Sequence, residues 1–258
     1  MINRALPKNF IQFVGTAGAR FVTIDQSRSS AGIWISYEGT NILIDPGPGS
    51  LVRCLNSNPK LDPSLLDAII LTHKHIDHSN DVNIMIEAMT AGGSKKRGLV
   101  FLPDDMMSGD SILLKYVRQL PEEIIILKEH SEYAVGNLKF STPLRHIHSV
   151  ETYGLKFAFK DKTISFIVDT RYFDKIISCY KADILVINTV FIRSIPNIDH
   201  LSIEDAGHII SQIKPRQAIL THFGRDIIKE EPSRFSCELS KKYGTEVLAA
   251  DDGMIVEL

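Results

Sequence analysis

The sequence predicts an α/β (α+β) fold in which two mixed β-sheets pack together with helices outside, a four-layer αββα sandwich. Three observations carry this expectation. Short apolar strands alternate with helical stretches along the whole chain. Hairpin signals are too frequent for a purely parallel, doubly wound sheet. The same grammar occurs twice, so 1–258 reads as a single domain built from two similar halves. With 258 residues, 44% of them hydrophobic, the chain has enough apolar material for one large core or two coupled layers.

FIQFVGT (10–16) reads as a strand, followed by a loop through Arg28, Ser29 and Ser30. GTAG (15–18) reads as a strand-to-strand join and not a phosphate loop, which needs a helix N-terminus and a following Lys-Ser/Thr. AGIWISYEGTNILIDPGPG (31–49) predicts a hairpin turned at EGT, with Asp45 at the exit of its second strand and a Pro/Gly cluster ending it. LVRCLNSN predicts a short helix. DAIIL is too short and too continuous for a surface helix, so it reads as a strand leading into THKHIDH. VNIMIEAMTA (82–91) has helical spacing and stops at Gly92 and Gly93. LVFLP and EEIIILKE predict strands, with DDMMSGDSILLKYVRQL between them as a helix.

In the second half, YAVGNLKFSTPLRHIH and YGLKFAFKDKTISFIVDT predict hairpins turned at Gly136-Asn137 and Asp161-Lys162. ADILVINT and QAILTH read as strands, with SIEDAGHIISQI a helix between them. EVLAADDGMIVEL predicts a closing hairpin at Asp252-Gly253.

A formal net charge of −2 demands neither a nucleic acid nor a membrane as partner. Cys54, Cys179 and Cys237 form no CxxC pair, which points to a reducing compartment. The start, MINRALPKNF, lacks a signal peptide's apolar core, and no stretch approaches the roughly 20 apolar residues of a membrane span. The expectation is a soluble cytoplasmic protein.

Three of the nine histidines fall in LTHKHIDHSND (71–81), with an aspartate among them. His73 and His75 are two apart just past a strand, so both rings can converge on one point. Asp77 and His78 turn toward other points of the same pocket. Imidazole nitrogen and carboxylate oxygen together suit zinc and related divalent ions. Burying a carboxylate unpaired among histidines would be costly, and a metal reverses that cost. Asp45, His73, Asp169 and His222 all follow apolar strands, and strand ends on one edge can gather distant ligands around one cleft.

THKHIDH resembles the HxHxDH signature of the metallo-β-lactamase-fold hydrolases. ILIDPGPG, HSVETYGLKF, FIVDT and LTHFG are similar to that family's other four motifs, in order. The resemblance implies that His73, His75 and His148 hold one metal and that Asp77, His78 and His222 hold a second. Asp169 would bridge them, and Asp45 would stand behind the ligands. His146, two residues before His148, competes for the third motif. The following SVETYGL favours His148 and leaves His146 as a supporting residue. Two divalent ions are implied, zinc first, with manganese or iron as alternatives. Two metals about 3.5–4 Å apart can share a water and supply a metal-bound hydroxide at neutral pH. Asp77 or Asp169 can orient it or hold its proton.

FVGTAGARFVTIDQSRSSAGI resembles the opening of the RNase Z-like phosphodiesterase branch. DHLSIEDA (199–206) is similar to a stretch in which a histidine contacts the phosphate or protonates the leaving oxygen, which makes His200 the candidate acid. The competing reading of His200 is a residue of the helix-capping region, with Ser202 as the cap. A tRNA-processing member carries a long basic arm, and the residues between Asp169 and His222 leave no room for one. GGSKKRG (92–98), the one compact basic loop, reads as a solvated turn. The expected substrate is therefore a small or cyclic phosphodiester. The alternatives are a thioester or lactone hydrolase of the same fold and, less favoured, a tRNA 3′-processing nuclease. Homodimers are common for folds of this kind. Ser79, Asn80 and Asp81 depart from the family's usual glycine after the histidine motif.

Overall fold

The computed structural model describes residues 7–30 and 32–258. The reading of MINRALPKNF as lacking a leader's apolar core falls largely on residues 1–6, outside the described residues. Among the described residues, no helix is long and apolar enough to cross a membrane.

The first half contains β1 (Phe10–Phe13), α1 (Ala19–Asp25), β2 (Ile33–Tyr37), β3 (Thr40–Ile44) and α2 (Ser50–Asn56). It continues through β4 (Ala68–Ile70), α3 (Ile76–Ser79), α4 (Val82–Met89), β5 (Leu99–Leu102) and β6 (Glu123–Ile126). The second half contains β7 (Ser131–Val135), β8 (Leu138–Thr142), β9 (Leu155–Ala158), β10 (Thr163–Ile167) and α5 (Lys175–Cys179). After these come β11 (Ile184–Asn188), α6 (Ile203–Ile213), β12 (Gln217–Thr221), α7 (Arg225–Lys229), α8 (Pro232–Tyr243), β13 (Glu246–Ala249) and β14 (Ile255–Glu257).

Two seven-stranded sheets result, ordered β14-β1-β2-β3-β4-β5-β6 and β13-β12-β11-β10-β9-β8-β7. Each is antiparallel at one side and parallel at the other. β3 to β6 run parallel in the first sheet, and β10 to β13 run parallel in the second.

The apolar runs are continuous because both faces of the central strands are buried. Ile42, Ile44, Ala68, Ile70 and Phe101 point between the sheets and meet Phe157, Phe166, Val186 and Ile219 of the other sheet. Their chain neighbours Leu43, Ile69, Val100 and Leu102 point the other way, onto Val82, Met85, Ile86 and Met89. In the second sheet, Leu185, Ile187, Ala218 and Leu220 pack outward against Ile209, Ile210, Phe235 and Leu239. The four layers predicted from sequence are thus helix, sheet, sheet, helix.

Four expectations need correction. The stretch 104–120 is not a helix. It holds only two 3₁₀ turns, Asp104–Met106 and Val117–Gln119. Gly109 breaks the run at φ +60°, and the Ser111 hydroxyl and Arg118 guanidinium bond the carbonyls of Met106 and Leu113 in place of a helical ladder. EVLAADDGMIVEL is not a hairpin. β13 pairs with β12, whereas β14 crosses to pair with β1 in the other sheet. The Asp252 carboxylate holds that crossing by accepting from the Thr16 and Ser29 backbone amides, at 3.0 and 2.6 Å. GTAG does not run strand to strand, because α1 follows it directly. Finally, α8 went unpredicted although its signals are present: Pro232 at its first turn and Gly244 at φ +68° beyond its end.

Phe157 and Phe166 meet edge to face with ring centroids 5.5 Å apart in the layer between the sheets, both essentially unexposed. Phe166→Ala should destabilise the fold by about 3–5 kcal/mol through lost burial and a residual cavity. Urea unfolding monitored by circular dichroism measures this.

Candidate metal centre

Parallel strands end on the same edge of a sheet, and the site lies along that edge. β3 delivers Asp45, β4 delivers Thr72 and His73, β10 delivers Asp169, β11 ends in Asn188 and β12 delivers His222. Asp45 and His222 leave their strands in the left-handed region, at φ +51° and +59°. That conformation is uncommon for residues with a side chain and concentrates at functional sites. The short helix α3 carries Asp77 and His78. His148 and His146 come from the β8–β9 connection, and His200 from the loop before α6.

The ligand-type atoms fall into overlapping groups whose members lie within 4.8 Å of one another. His73, His75 and His148 form one. Asp77, His78 and His222 form another. Asp45 joins His73 and His78, and His200 joins His148 and Asp169. His148 Nε2 stands 3.0 Å from His75 Nδ1, and His78 Nε2 stands 2.9 Å from His222 Nε2. Asp169 lies between the groups. Its Oδ2 is 3.8 Å from His73 Nε2, 3.6 Å from His78 Nε2 and 3.4 Å from His200 Nδ1.

Acceptors behind the rings fix which nitrogen faces the pocket. His148 Nδ1–H donates to the Asp199 carbonyl at 2.9 Å, which leaves Nε2 as a lone pair. Thr72 Oγ1 donates to Asp45 Oδ2 at 2.7 Å and so accepts from His73 Nδ1–H at 3.1 Å. His73 Nε2 is then a buried acceptor with no hydrogen-bond partner. Asp45 also accepts from the Thr72 amide at 2.7 Å and bonds His78 Nδ1 at 2.9 Å. Such carboxylate–histidine pairs orient ligating imidazoles in metal proteins.

The electrostatics favour a cation. Burial alone would push Asp169 up, yet His222, His200 and His78 together hold it well below the usual carboxylate range. Asp77 is also pushed up by burial, but His78 and His222 outweigh that and keep it ionised. Burial lowers His73 and His75, whose rings are neutral and free to donate lone pairs. His78 is the exception. Burial opposes its charge, and the surrounding Asp77, Asp169 and Asp45 hold it protonated nevertheless. The pocket thus stabilises positive charge at its centre, and a divalent ion can carry that charge in place of the proton. The unpartnered His73 Nε2, the mixed nitrogen and oxygen donors and this electrostatic demand all fit a metal.

His146 lies outside these groups. Its Nε2 bonds the Tyr180 hydroxyl at 2.8 Å, its Nδ1 faces the Asp169 carbonyl at 3.3 Å, and burial pushes it down to about 4. His200 is partly accessible at 18% of its side chain, and burial pushes it down to about 4. Ser202 caps α6 in a reciprocal box with Asp205, so the cap and a pocket-facing His200 coexist two residues apart. Ser79, Asn80 and Asp81 are occupied structurally. The Ser79 hydroxyl donates to the His75 carbonyl at 2.9 Å, and Asp81 accepts from the Leu51 amide at the start of α2 at 3.2 Å. Sequence reasoning passed over Thr72, Tyr180 and Asn188, because single polar residues at strand ends or in helices carry no spacing signal.

Two sheets enclosed by helices, with a histidine–aspartate cluster at their strand ends, define an enzyme of the metal-dependent hydrolase class. The chain belongs to the family described as the beta-lactamase superfamily domain, whose family model matches residues 40–223. It is 23% identical over 288 aligned residues to a ribonuclease Z of Thermobifida fusca, with 89% of each chain covered. Its fold matches the metallo-beta-lactamase fold protein YhfI of Bacillus subtilis with a TM-score of 0.81 at 20% identity, covering 97% of this chain and 99% of that one. A diphosphatase of the PhnP family matches with a TM-score of 0.72 at 18% identity, covering 97% and 98%.

A Cβ at Gly18 would stand 2.0 Å from the His222 carbonyl oxygen and 2.7 Å from its Nδ1. Gly18→Ala should therefore displace His222, main chain included, and weaken metal binding together with some loss of stability. Asp45→Ala frees His78 and should cost about 10–100-fold in metal affinity. Chelator-competition titrations of both variants test these expectations.

Proposed function

We propose that this chain is a dinuclear hydrolase of small phosphodiesters, with His73, His75 and His148 around one metal, Asp77, His78 and His222 around the other, and Asp169 shared. Zinc is the first choice for a site this rich in imidazole. The observation that carries the reading is Asp169 Oδ2, a single buried oxygen within 3.8 Å of an unprotonated or ligand-type nitrogen from each triad.

Bound there, divalent ions supply a Lewis acid for a phosphoryl oxygen and lower the pKa of water. The chain's own groups do the rest. Asp45, through Thr72 and His78, and Asp199, through His148, hold the imidazoles in register. Asp77, 14% exposed, is the most accessible carboxylate of the cluster and remains ionised, so it can accept a proton from the attacking water. His200 is neutral at neutral pH and offers an N–H to an incoming phosphoryl oxygen. An anionic substrate beside it favours its protonated form, which then donates to the leaving oxygen.

The rim supports a small substrate. The basic loop 92–98 leads into the start of β5 and so lies at the edge away from the site, where Arg97 bonds the carbonyls of Ser64 and Leu66 and pairs with Asp67. Arg171 pairs with Asp199 at 3.4 Å, and Arg225 pairs with Asp25. Between Asp169 and His222 the described residues form α5, β11, α6 and their connections, with no long basic arm. The names of two relatives, a ribonuclease and a diphosphatase, support cleavage at phosphorus without bearing on substrate size.

Zinc- or manganese-loaded protein should hydrolyse bis-p-nitrophenyl phosphate faster than an acyl thioester or a lactone assayed in parallel. A reversed preference would move the reading to acyl hydrolysis. Asp77→Ala should lower kcat/KM by more than about 100-fold, beyond the range typical of residues that only support a ligand. His200→Ala should lower kcat by about 10²–10⁴ with metal content unchanged, as the loss of a proton donor would. Metal analysis beside steady-state kinetics separates the two effects.

A further inference from the structure

One buried side chain belongs to neither triad and yet touches the carboxylate they share. Asn188 ends β11, is 9% exposed, and donates through Nδ2 to Asp169 Oδ1 at 2.8 Å. This divides the two oxygens of Asp169. Oδ1 receives the amide, and its other near neighbour is His222 Nδ1 at 3.5 Å. Oδ2 faces His73 Nε2, His78 Nε2 and His200 Nδ1. The main chain at this point is held as well, since the Asp169 carbonyl faces His146 Nδ1 at 3.3 Å.

A carboxylate has two equivalent oxygens and a soft terminal torsion. Left to itself between two cations, it can share one oxygen or give one oxygen to each. A strong donor on one oxygen removes that choice, because rotating the group would break a buried hydrogen bond to an ionised acceptor, among the stronger neutral-donor contacts in proteins. The amide must present its NH₂ here, since its oxygen would face a carboxylate oxygen.

We infer that Asn188 is a positioning residue: its amide on Oδ1 fixes the rotation of the Asp169 carboxylate and so keeps Oδ2 turned toward both triads, where the metals would be held. The inference rests on the dinuclear reading above. It adds that the orientation of the shared carboxylate is set from β11, outside the ligand motifs. The second metal to enter then depends on Asn188 more than the first, because either triad can hold a single ion without the shared carboxylate.

The test uses Asn188→Leu, close in size and without a donor, and Asn188→Ala in case the leucine disturbs folding. Two readouts are taken on manganese-loaded protein. Mass-spectrometric metal titration counts the ions and ranks their affinities, and electron paramagnetic resonance reports magnetic coupling between them. Wild type should take two ions that give a coupled spectrum. Both variants should keep the first ion near wild-type affinity, bind the second about 10–100-fold more weakly, and show mainly uncoupled signal. Variants that bind both ions as wild type does, with the same coupled spectrum, overturn the inference. So do variants in which both ions weaken equally alongside a lower melting temperature, since that marks an ordinary structural asparagine. Wild type that never takes a second ion overturns the dinuclear reading itself, a result distinct from either.

Discussion

An ionised carboxylate cannot sit in a protein interior without compensation, and Asp169 is 2% exposed. Everything around the site answers that constraint. Four imidazoles and an amide turn toward its two oxygens, a fifth imidazole braces its main chain, and two further carboxylates crowd nearby. Such a group of acids and bases is stable only around positive charge. In the polypeptide alone His78, ringed by Asp77, Asp169 and Asp45, is held protonated and carries such charge. Metal binding is the chemical completion of an electrostatic arrangement that the chain already makes.

The arrangement depends on a sandwich whose strands need both faces apolar. Each half-parallel sheet sends its strand ends to one edge, and the packing of Phe157, Phe166 and Val186 against Ile44 and Ile70 brings the two edges together. The donors therefore need no proximity in sequence. They need only be the next residues after a strand, in a backbone conformation that turns inward. Asp45 and His222 meet that need in matching left-handed bends, one from each sheet. A core of ordinary aliphatic contacts thus specifies the position of polar atoms to within a hydrogen bond.

That logic explains what could be read from the sequence. The strands leading to Asp45, His73, Asp169 and His222 are short, continuous apolar runs, and HxHxDH concentrates four donors in six positions, so the fold and the histidine–aspartate cluster were both visible. The stretch 104–120 looked helical because its apolar spacing is right, but side-chain bonds from Ser111 and Arg118 satisfy carbonyls locally and leave nothing for a ladder. The end of the chain looked like a hairpin because Asp252-Gly253 is a turn. Pairing with β1, a partner more than 200 positions away, is not encoded in any local pattern. Asn188 was invisible for a related reason: its importance lies entirely in the oxygen it touches.

The crossing of β14 to β1 has a consequence in time. A chain emerging from the ribosome presents β1 to β6 first, with one edge of that sheet bare. The strand that covers this edge, and the Asp252 carboxylate that clasps Thr16 and Ser29, are made only after the whole second sheet. Contacts of such sequence separation close slowly, and an open strand edge is a template for wrong partners. The nascent first half must therefore wait, exposed, for a strand made after the second sheet is complete, and this is the interval in which a chaperone would have the most to protect.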